Sequence, residues 1–301
     1  MVRGHRTLAN VFNFIASPFG TVVGSVIPVN VLGEANENSS DMLVLNLVLF
    51  SIAAICFIMS MFLHSSPPTP PSASCQVEGV PGFKEGIIRC FKTKSFYALI
   101  AVFSAAFAEL FNFFFFSDAF LTALGYKPSV TAYLIVTSCT VGIILAVLAG
   151  VWVDKFKNYK ETLTTTMALF SCAMICLNFF LRHSPSTTCE TALLFLICAS
   201  LGAFSLMVWP ISFEVGVEMT FPVEEATSSG LLLLCCNVIF FLRVFLTQQL
   251  SQMNLLYTMD GSSGWPDIRE AGNMWLAMDV SCIICVFTTI VCAFCLNTEY
   301  E

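Results

Sequence analysis

Long apolar runs alternate with short polar connections along the whole chain. Eight of these runs are long enough to cross the hydrocarbon layer of a bilayer as a helix, which takes about 20 residues. They cover approximately residues 9–31, 43–63, 96–117, 130–152, 163–181, 191–214, 228–248 and 274–296. The pattern predicts an all-α polytopic membrane protein with eight transmembrane helices.

The polar connections predict how the helices are oriented. If the N-terminus is inside, the connections on its side carry nine Lys and Arg residues and those on the other side carry three. The nine are Arg3, Arg6, Lys84, Arg89, Lys92, Lys94, Lys155, Lys157 and Lys160, and the three are Lys127, Arg182 and Arg269. Because basic loops stay in the cytoplasm and the number of spans is even, both termini are expected to be cytoplasmic. The plasma membrane is expected rather than an organelle.

The longest polar segment, 64–95, divides the chain. It begins with HSSPPTPPSAS, and this Pro- and Ser-rich composition favours extended chain that does not pack. Two predicted spans precede it, in 1–63, and six follow it, in 96–301. We therefore expect a cytoplasmic linker between two membrane-embedded parts.

Composition supports a membrane protein and narrows its partners. Hydrophobic residues make up 57% and charged residues 11% of the 301 residues, unlike an average soluble domain. The expected partners are the lipid bilayer and a small-molecule solute, with no nucleic acid. The cysteines lie mainly inside the apolar runs and the three histidines lie outside them, so no metal site or cofactor is expected. No catalytic motif is present, and an enzyme is not expected.

One N-glycosylation sequon occurs, at Asn38-Ser39-Ser40. It lies in the acidic connection 33–42, on the side predicted to be outside. Two interpretations stay open: Asn38 is glycosylated, or the connection is too close to the membrane for efficient modification.

Two motifs suggest a family. The segment GVWVDKFKNYKET, 150–162, lies between the fourth and fifth predicted helices and resembles the cytoplasmic loop signature of the major facilitator superfamily. The segment PISFEVGVEMTFPVEEATSSG, 210–230, is similar to the solute carrier 49 group of that superfamily, the feline leukaemia virus subgroup C receptor-related transporters. The resemblance covers the whole chain.

This resemblance implies a partial major facilitator fold. The eight predicted helices would be equivalent to helices 5–12 of the family, with 1–63 as the last two helices of the N-terminal bundle and 96–301 as the six-helix C-terminal bundle. The implied function is transport of a small organic solute by alternating access. The solute would be an amine such as choline or ethanolamine, or haem as in relatives.

The acidic residues of the second motif predict a gate. Glu214 and Glu218 lie one helical turn apart, where the sixth predicted helix leaves the membrane on the basic side. In the family the loop containing Asp154, Lys155 and Lys157 latches the two bundles, so an ion pair that forms in only one state would act as a gate. The alternative is a static ion pair at the interface, which contributes little.

An acid inside the third predicted helix is the main candidate for solute binding. Glu109 lies in mid-span next to Phe111 and Asn112, and charged residues at that depth are costly and commonly functional. A cationic solute would balance its charge and contact the aromatic ring. The alternative is a protonated Glu109 bonded to another helix. The family pattern has Tyr near the position of Phe111 and Gln at the position of Asn237.

A second function remains open from the sequence. The first four helices of the family fold would be missing, so the chain could be a truncated product that does not transport and acts as an interaction or regulatory partner. The GxxxG spacing of Gly20 and Gly24 offers a close-packing face for such helix–helix association.

Overall fold

The structure, a computed structural model, describes residues 4–32, 39–62, 82–156, 158–183, 188–252 and 274–295. These residues form helices with a few turn residues and contain no strand. The helices are α1 (Gly4–Leu32), α2 (Ser39–Ser60), α3 (Phe83–Lys92), α4 (Lys94–Ala123), α5 (Pro128–Phe156), α6 (Tyr159–His183), α7 (Thr188–Thr220), α8 (Glu225–Gln252) and α9 (Met274–Cys295).

The membrane-spanning architecture is confirmed. Among the described residues, seven helices are long and apolar enough to cross a bilayer: α2 and α4 to α9. Helix α1 adds a shorter apolar stretch, Ile15–Val31. All eight predicted spans therefore coincide with helices. Several are longer than predicted, since α4 continues to Ala123 and α7 runs from Thr188 to Thr220.

Helix α3 was not predicted. It occupies 83–92, within the segment expected to be extended and unpacked, and that expectation is wrong for these residues. Gly86 and Cys90, one turn apart, are buried, and a Cβ on Gly86 would lie 3.1 Å from Cγ1 of Val223. Burial raises the pKa of the Cys90 thiol, so this side chain stays protonated and packs as a small apolar group. Residues 63–81 of the expected linker lie outside the described residues.

Helix α8 begins at Glu225, three residues before the predicted start. The amides of Thr227 and Ser228 donate to the Glu224 carbonyl at 3.0 and 3.1 Å, so both residues lie in the first turn of the helix. The carboxylate of Glu225 is in that turn too, where negative charge complements the helix dipole.

The core lies among α4 to α9, with α4 in contact with α5, α6, α7, α8 and α9. The closest crossing joins α5 and α7 through small residues. Ser138 Oγ donates to the Cys198 carbonyl at 2.7 Å, and a Cβ on Gly202 would lie only 2.1 Å from the Ser138 carbonyl oxygen. Helix α1 packs on α5, and α2 packs mainly on α1 with its other sides exposed.

Candidate functional site

A buried ion pair joins α4 to α8. Arg243 Nε donates to Glu109 Oε1 at 2.7 Å, and the two side chains are 4% and 1% exposed. Opposite charges at this distance in a low-dielectric interior attract strongly, and each would be costly to bury alone. The partner of Glu109 is therefore a residue of the chain itself, and the electrostatic reason for expecting a cationic solute at Glu109 no longer holds.

Arg243 also holds α9. Its guanidinium donates to the hydroxyl oxygens of Thr247 and Ser281, and to the Ala277 carbonyl at 3.1 Å. Ala277 and Ser281 lie on α9, so one side chain connects α4, α8 and α9. Because Arg243 uses all three of its guanidinium nitrogens in these bonds, the network holds the three helices in one relative position.

A small cavity adjoins this network on the side of the α4 C-terminus. Its polar lining comes from Asn112, Ser117, Thr247 and Ser281, and its volume is about 20 Å³, room for about one water molecule. Asn112 Oδ1 and Glu109 Oε2 are both buried and have no hydrogen-bond partner among the described residues. Of these two residues only Asn112 lines the cavity, and its oxygen without a partner favours hydration there.

A second ion pair joins α6 to α9. Arg182 donates to Asp279 Oδ1 at 2.6 Å, and Asn178 Nδ2 donates to the same oxygen at 2.8 Å. The Arg182 guanidinium also lies 5.3 Å from the ring centre of Trp275. This pair is about one-third exposed, so solvent screens it more than the pair at Glu109.

An aromatic cluster, formed by Phe107, Phe111, Trp209 and Phe240, joins α4, α7 and α8. Phe107 stacks on Phe111 with ring centres 4.7 Å apart and lies 5.1 Å from Trp209. Phe240 meets Phe107 edge to face at 5.7 Å and lies 6.4 Å from Phe111. Trp209 is buried, whereas the three Phe rings remain partly exposed.

The predicted solute-binding residues do not form one site. At ~100° per residue, Glu109 lies about 200° around α4 from Phe107, and it faces α8 and α9. Asn112 is on that interior side as well, whereas Phe111 belongs to the aromatic cluster. Asn237 is exposed on α8 and donates to the Leu233 carbonyl of its own helix at 2.8 Å.

The predicted gate is described only in part. Glu214 is partly buried and Glu218 is exposed, both near the end of α7, and Lys155 Nζ lies 5.6 Å from the ring centre of Phe156. Lys157 and Asn38 lie outside the described residues, and so does the side chain of Asp154. On α1, a Cβ at Gly20 or Gly24 would meet no atom within 4 Å, so the predicted close-packing face is open.

Comparison with known proteins decides the family. The sequence model of the Major Facilitator Superfamily matches residues 1–244. The chain belongs to the major facilitator superfamily. Its all-α architecture is thus a partial facilitator fold, and the superfamily to which it belongs is one of transport proteins.

Several curated proteins are similar to this facilitator chain. Solute carrier family 49 member A3 of Danio rerio is 27% identical over 96% of the chain and 59% of that protein. The protein of the same name from Xenopus tropicalis is 25% identical over 98% of the chain and 60% of that protein. The choline/ethanolamine transporter flvcr2a of Danio rerio is 28% identical over 73% of the chain and 47% of that protein. The chain spans about three-fifths of the length of the first two.

Proposed function

We propose that this chain forms part or all of a carrier that moves a small organic amine across a membrane by alternating access between helix bundles. Its superfamily and the relatives named choline/ethanolamine transporters support this function. They favour it over a product that acts only as an interaction partner. The same proposal assigns the chain to helices 5–12 of the family fold and places both termini in the cytoplasm. It also includes a plasma-membrane location, helix association through Gly20 and Gly24, and glycosylation of Asn38.

The aromatic cluster is the observation that carries the proposal. Aromatic faces attract organic cations, most strongly when water is excluded, by about 0.5 to 2 kcal/mol each. Phe107, Phe111 and Phe240 are partly exposed around a buried Trp209, so their ring faces can contact an ammonium group. We place the amine against this cluster, with Phe111 as its principal contact.

Asn237 is the proposed polar contact. It lies on α8 one turn from Phe240, and its side chain is exposed. An amide at this position can exchange the bond that it donates to Leu233 for one to a hydroxyl or amino group of the solute. A polar solute group would therefore lie on the α8 side of the cluster.

Glu109 and Asn112 have a supporting role in this proposal. Arg243 already balances the charge of Glu109. An amine that bound Glu109 would have to displace Arg243, which also donates to three further acceptors. We propose that Glu109 and Asn112 set the position of α4, and through it the orientation of Phe111, without contacting the solute.

The proposed gate links the end of α7 to the loop after α5. Glu214 and Glu218 would pair with Lys155, Lys157 or neighbouring basic residues in one state, with Asp154 orienting the loop, and would separate in the other. The exposure of Glu218 and Lys155 makes both accessible for such an exchange.

Uptake of labelled choline and ethanolamine into vesicles containing the chain tests the function. Phe111→Ala should reduce saturable uptake about tenfold, because it removes one cation–π contact and opens the cluster. Phe111→Tyr should keep most of the uptake, since an aromatic face remains.

Phe115→Ala provides the matched control. Phe115 lies on the same helix, is 67% exposed, and is outside the aromatic cluster, so uptake should stay near that of the unmodified chain. Equal loss in both alanine variants, or no saturable uptake of either amine by the unmodified chain, would refute the proposed solute class.

A further inference from the structure

Helix α3 presents three distinct faces along its ten residues. Gly86 and Cys90 are buried against the rest of the protein. Phe83, Ile87 and Phe91, spaced four residues apart, form an apolar stripe beside them, with Phe83 70% exposed. The remainder of the helix carries the exposed charged residues Lys84, Glu85, Arg89 and Lys92, together with Ile88, which is 54% exposed.

The apolar stripe continues into the lipid-facing surface of α4. The ring of Phe91 lies 5.9 Å from the ring of Tyr97, which is in the first turns of α4 and is 53% exposed. Only Thr93 separates α3 from α4, whose Lys94–Ala123 range is one of the membrane-spanning helices. Phe91 therefore lies beside Tyr97 at the end of α4 from which it enters the bilayer, the level at which Tyr is enriched.

The charges of α3 complement an anionic membrane surface. The helix has three basic residues and one acid, Glu85, which Arg89 engages at 2.8 Å. Lys84 and Lys92 remain exposed, and Lys94 follows directly. Helices with an exposed apolar stripe and a basic face lie in the interface plane, with the stripe among acyl chains and the bases at the headgroups.

The buried face of α3 contacts the connection between α7 and α8. A Cβ on Gly86 would lie 3.1 Å from Val223 and 3.5 Å from Thr227. This connection follows the α7 segment that contains Glu214 and Glu218. A ligand that holds α3 at the membrane would thus act on the end of α7 as well.

We propose that α3 is a binding site for anionic lipid headgroups in the leaflet at this end of the bundle. Lys84 and Lys92, assisted by Lys94, bind the headgroup, and Phe83 and Phe91 enter the acyl region beside it. Bound lipid stabilises the packing of α3 on the α7–α8 connection. The occupant is a phospholipid of the surrounding membrane and not a soluble phosphate, because the aromatic stripe requires an apolar phase.

Native mass spectrometry of the full chain, released from nanodiscs that contain phosphatidylcholine and phosphatidylserine, tests this site without any transported solute. The unmodified chain should retain phosphatidylserine in preference to phosphatidylcholine. Lys84→Gln and Lys92→Gln should each weaken that preference about fivefold, the effect expected for one basic residue near a charged surface. Phe83→Ser should weaken retention of both lipids.

Lys127→Gln is the control, because Lys127 is exposed in the turn between α4 and α5, at the opposite end of α4. It should leave the preference unchanged, and inorganic phosphate should not displace the lipid. Equal retention of phosphatidylserine by the Lys84→Gln/Lys92→Gln variant and the unmodified chain would overturn the proposal, as would displacement by inorganic phosphate. Because the measurement needs no uptake, its result is independent of the proposed transport of an amine.

Discussion

At the residue scale, two ion pairs of similar geometry differ in how deeply they are buried. Glu109–Arg243 is almost completely buried, whereas Arg182–Asp279 is about one-third exposed. The sequence alone identifies Glu109 as an unusual charge within a span. It does not identify the partner, since 134 residues separate Glu109 from Arg243 and only tertiary packing brings them together. The sequence did contain one signal for this pair, because Glu109 and Arg243 are opposite charges inside two different predicted spans.

Removing one residue of the buried pair should destabilise the protein strongly. Arg243→Met should lower the free energy of unfolding by roughly 3 kcal/mol or more, because Glu109 is left buried without a counter-charge. Arg182→Met, in the exposed pair, should cost about 1 kcal/mol or less. Thermal unfolding in detergent measures both. Adding Glu109→Gln to Arg243→Met should recover much of the loss, and a double variant less stable than Arg243→Met alone would contradict this account.

At the element scale, hydropathy predicts the long apolar helices and misses the short helix α3. The predicted spans were located because each is an apolar run of about 20 residues, although the apolar stretch of α1 in the structure, Ile15–Val31, is shorter. Helix α3 has only ten residues and follows a Pro- and Ser-rich stretch, so a search for spans passes over it. The four-residue spacing of Phe83, Ile87 and Phe91 was the signal that could have found it. The candidate site was predicted less well, because sequence neighbours such as Glu109 and Phe111 point to different sides of α4.

The α5–α7 crossing should be intolerant of any added side chain. Gly202→Ala would place a methyl group 2.1 Å from the Ser138 carbonyl oxygen, so the helices must separate and the melting temperature should fall. Gly230→Ala is the matched control, because a Cβ at Gly230 in α8 meets nothing within 4 Å. That variant should be neutral or slightly stabilising, as alanine favours helix. Equal melting temperatures for the two variants would show that the crossing adapts freely.

At the scale of the whole molecule, chemical labelling of lysines can measure how the bundle is oriented in the membrane. Lys127 lies in the α4–α5 turn and Lys155 lies at the far end of α5, and both are exposed. An amine-reactive reagent that cannot cross membranes should label Lys127 in intact cells and should label Lys155 only after permeabilisation, because basic loops remain in the cytoplasm. Peptide mass spectrometry measures both sites. Labelling of Lys155 in intact cells would reverse the proposed topology.

The proposed gate also operates at this scale, since it concerns the relative motion of bundles. Glu218→Gln should change the rate of amine uptake several-fold while the amount of protein in the membrane stays the same, because one state loses an ion pair. Glu224→Gln, at an exposed acid in the following connection, is the control and should transport normally. Unchanged uptake by the Glu218 variant would assign this acid to a static surface pair.

The buried pair between α4 and α8 also constrains how this protein can evolve. A single substitution at either position passes through an intermediate with an unpaired charge in the interior, and selection removes chains that lose several kcal/mol of stability. Positions 109 and 243 are therefore expected to be inherited as a unit. Among descendants and relatives, an apolar residue at one position should accompany an apolar residue at the other, and the two charges should be gained or lost together.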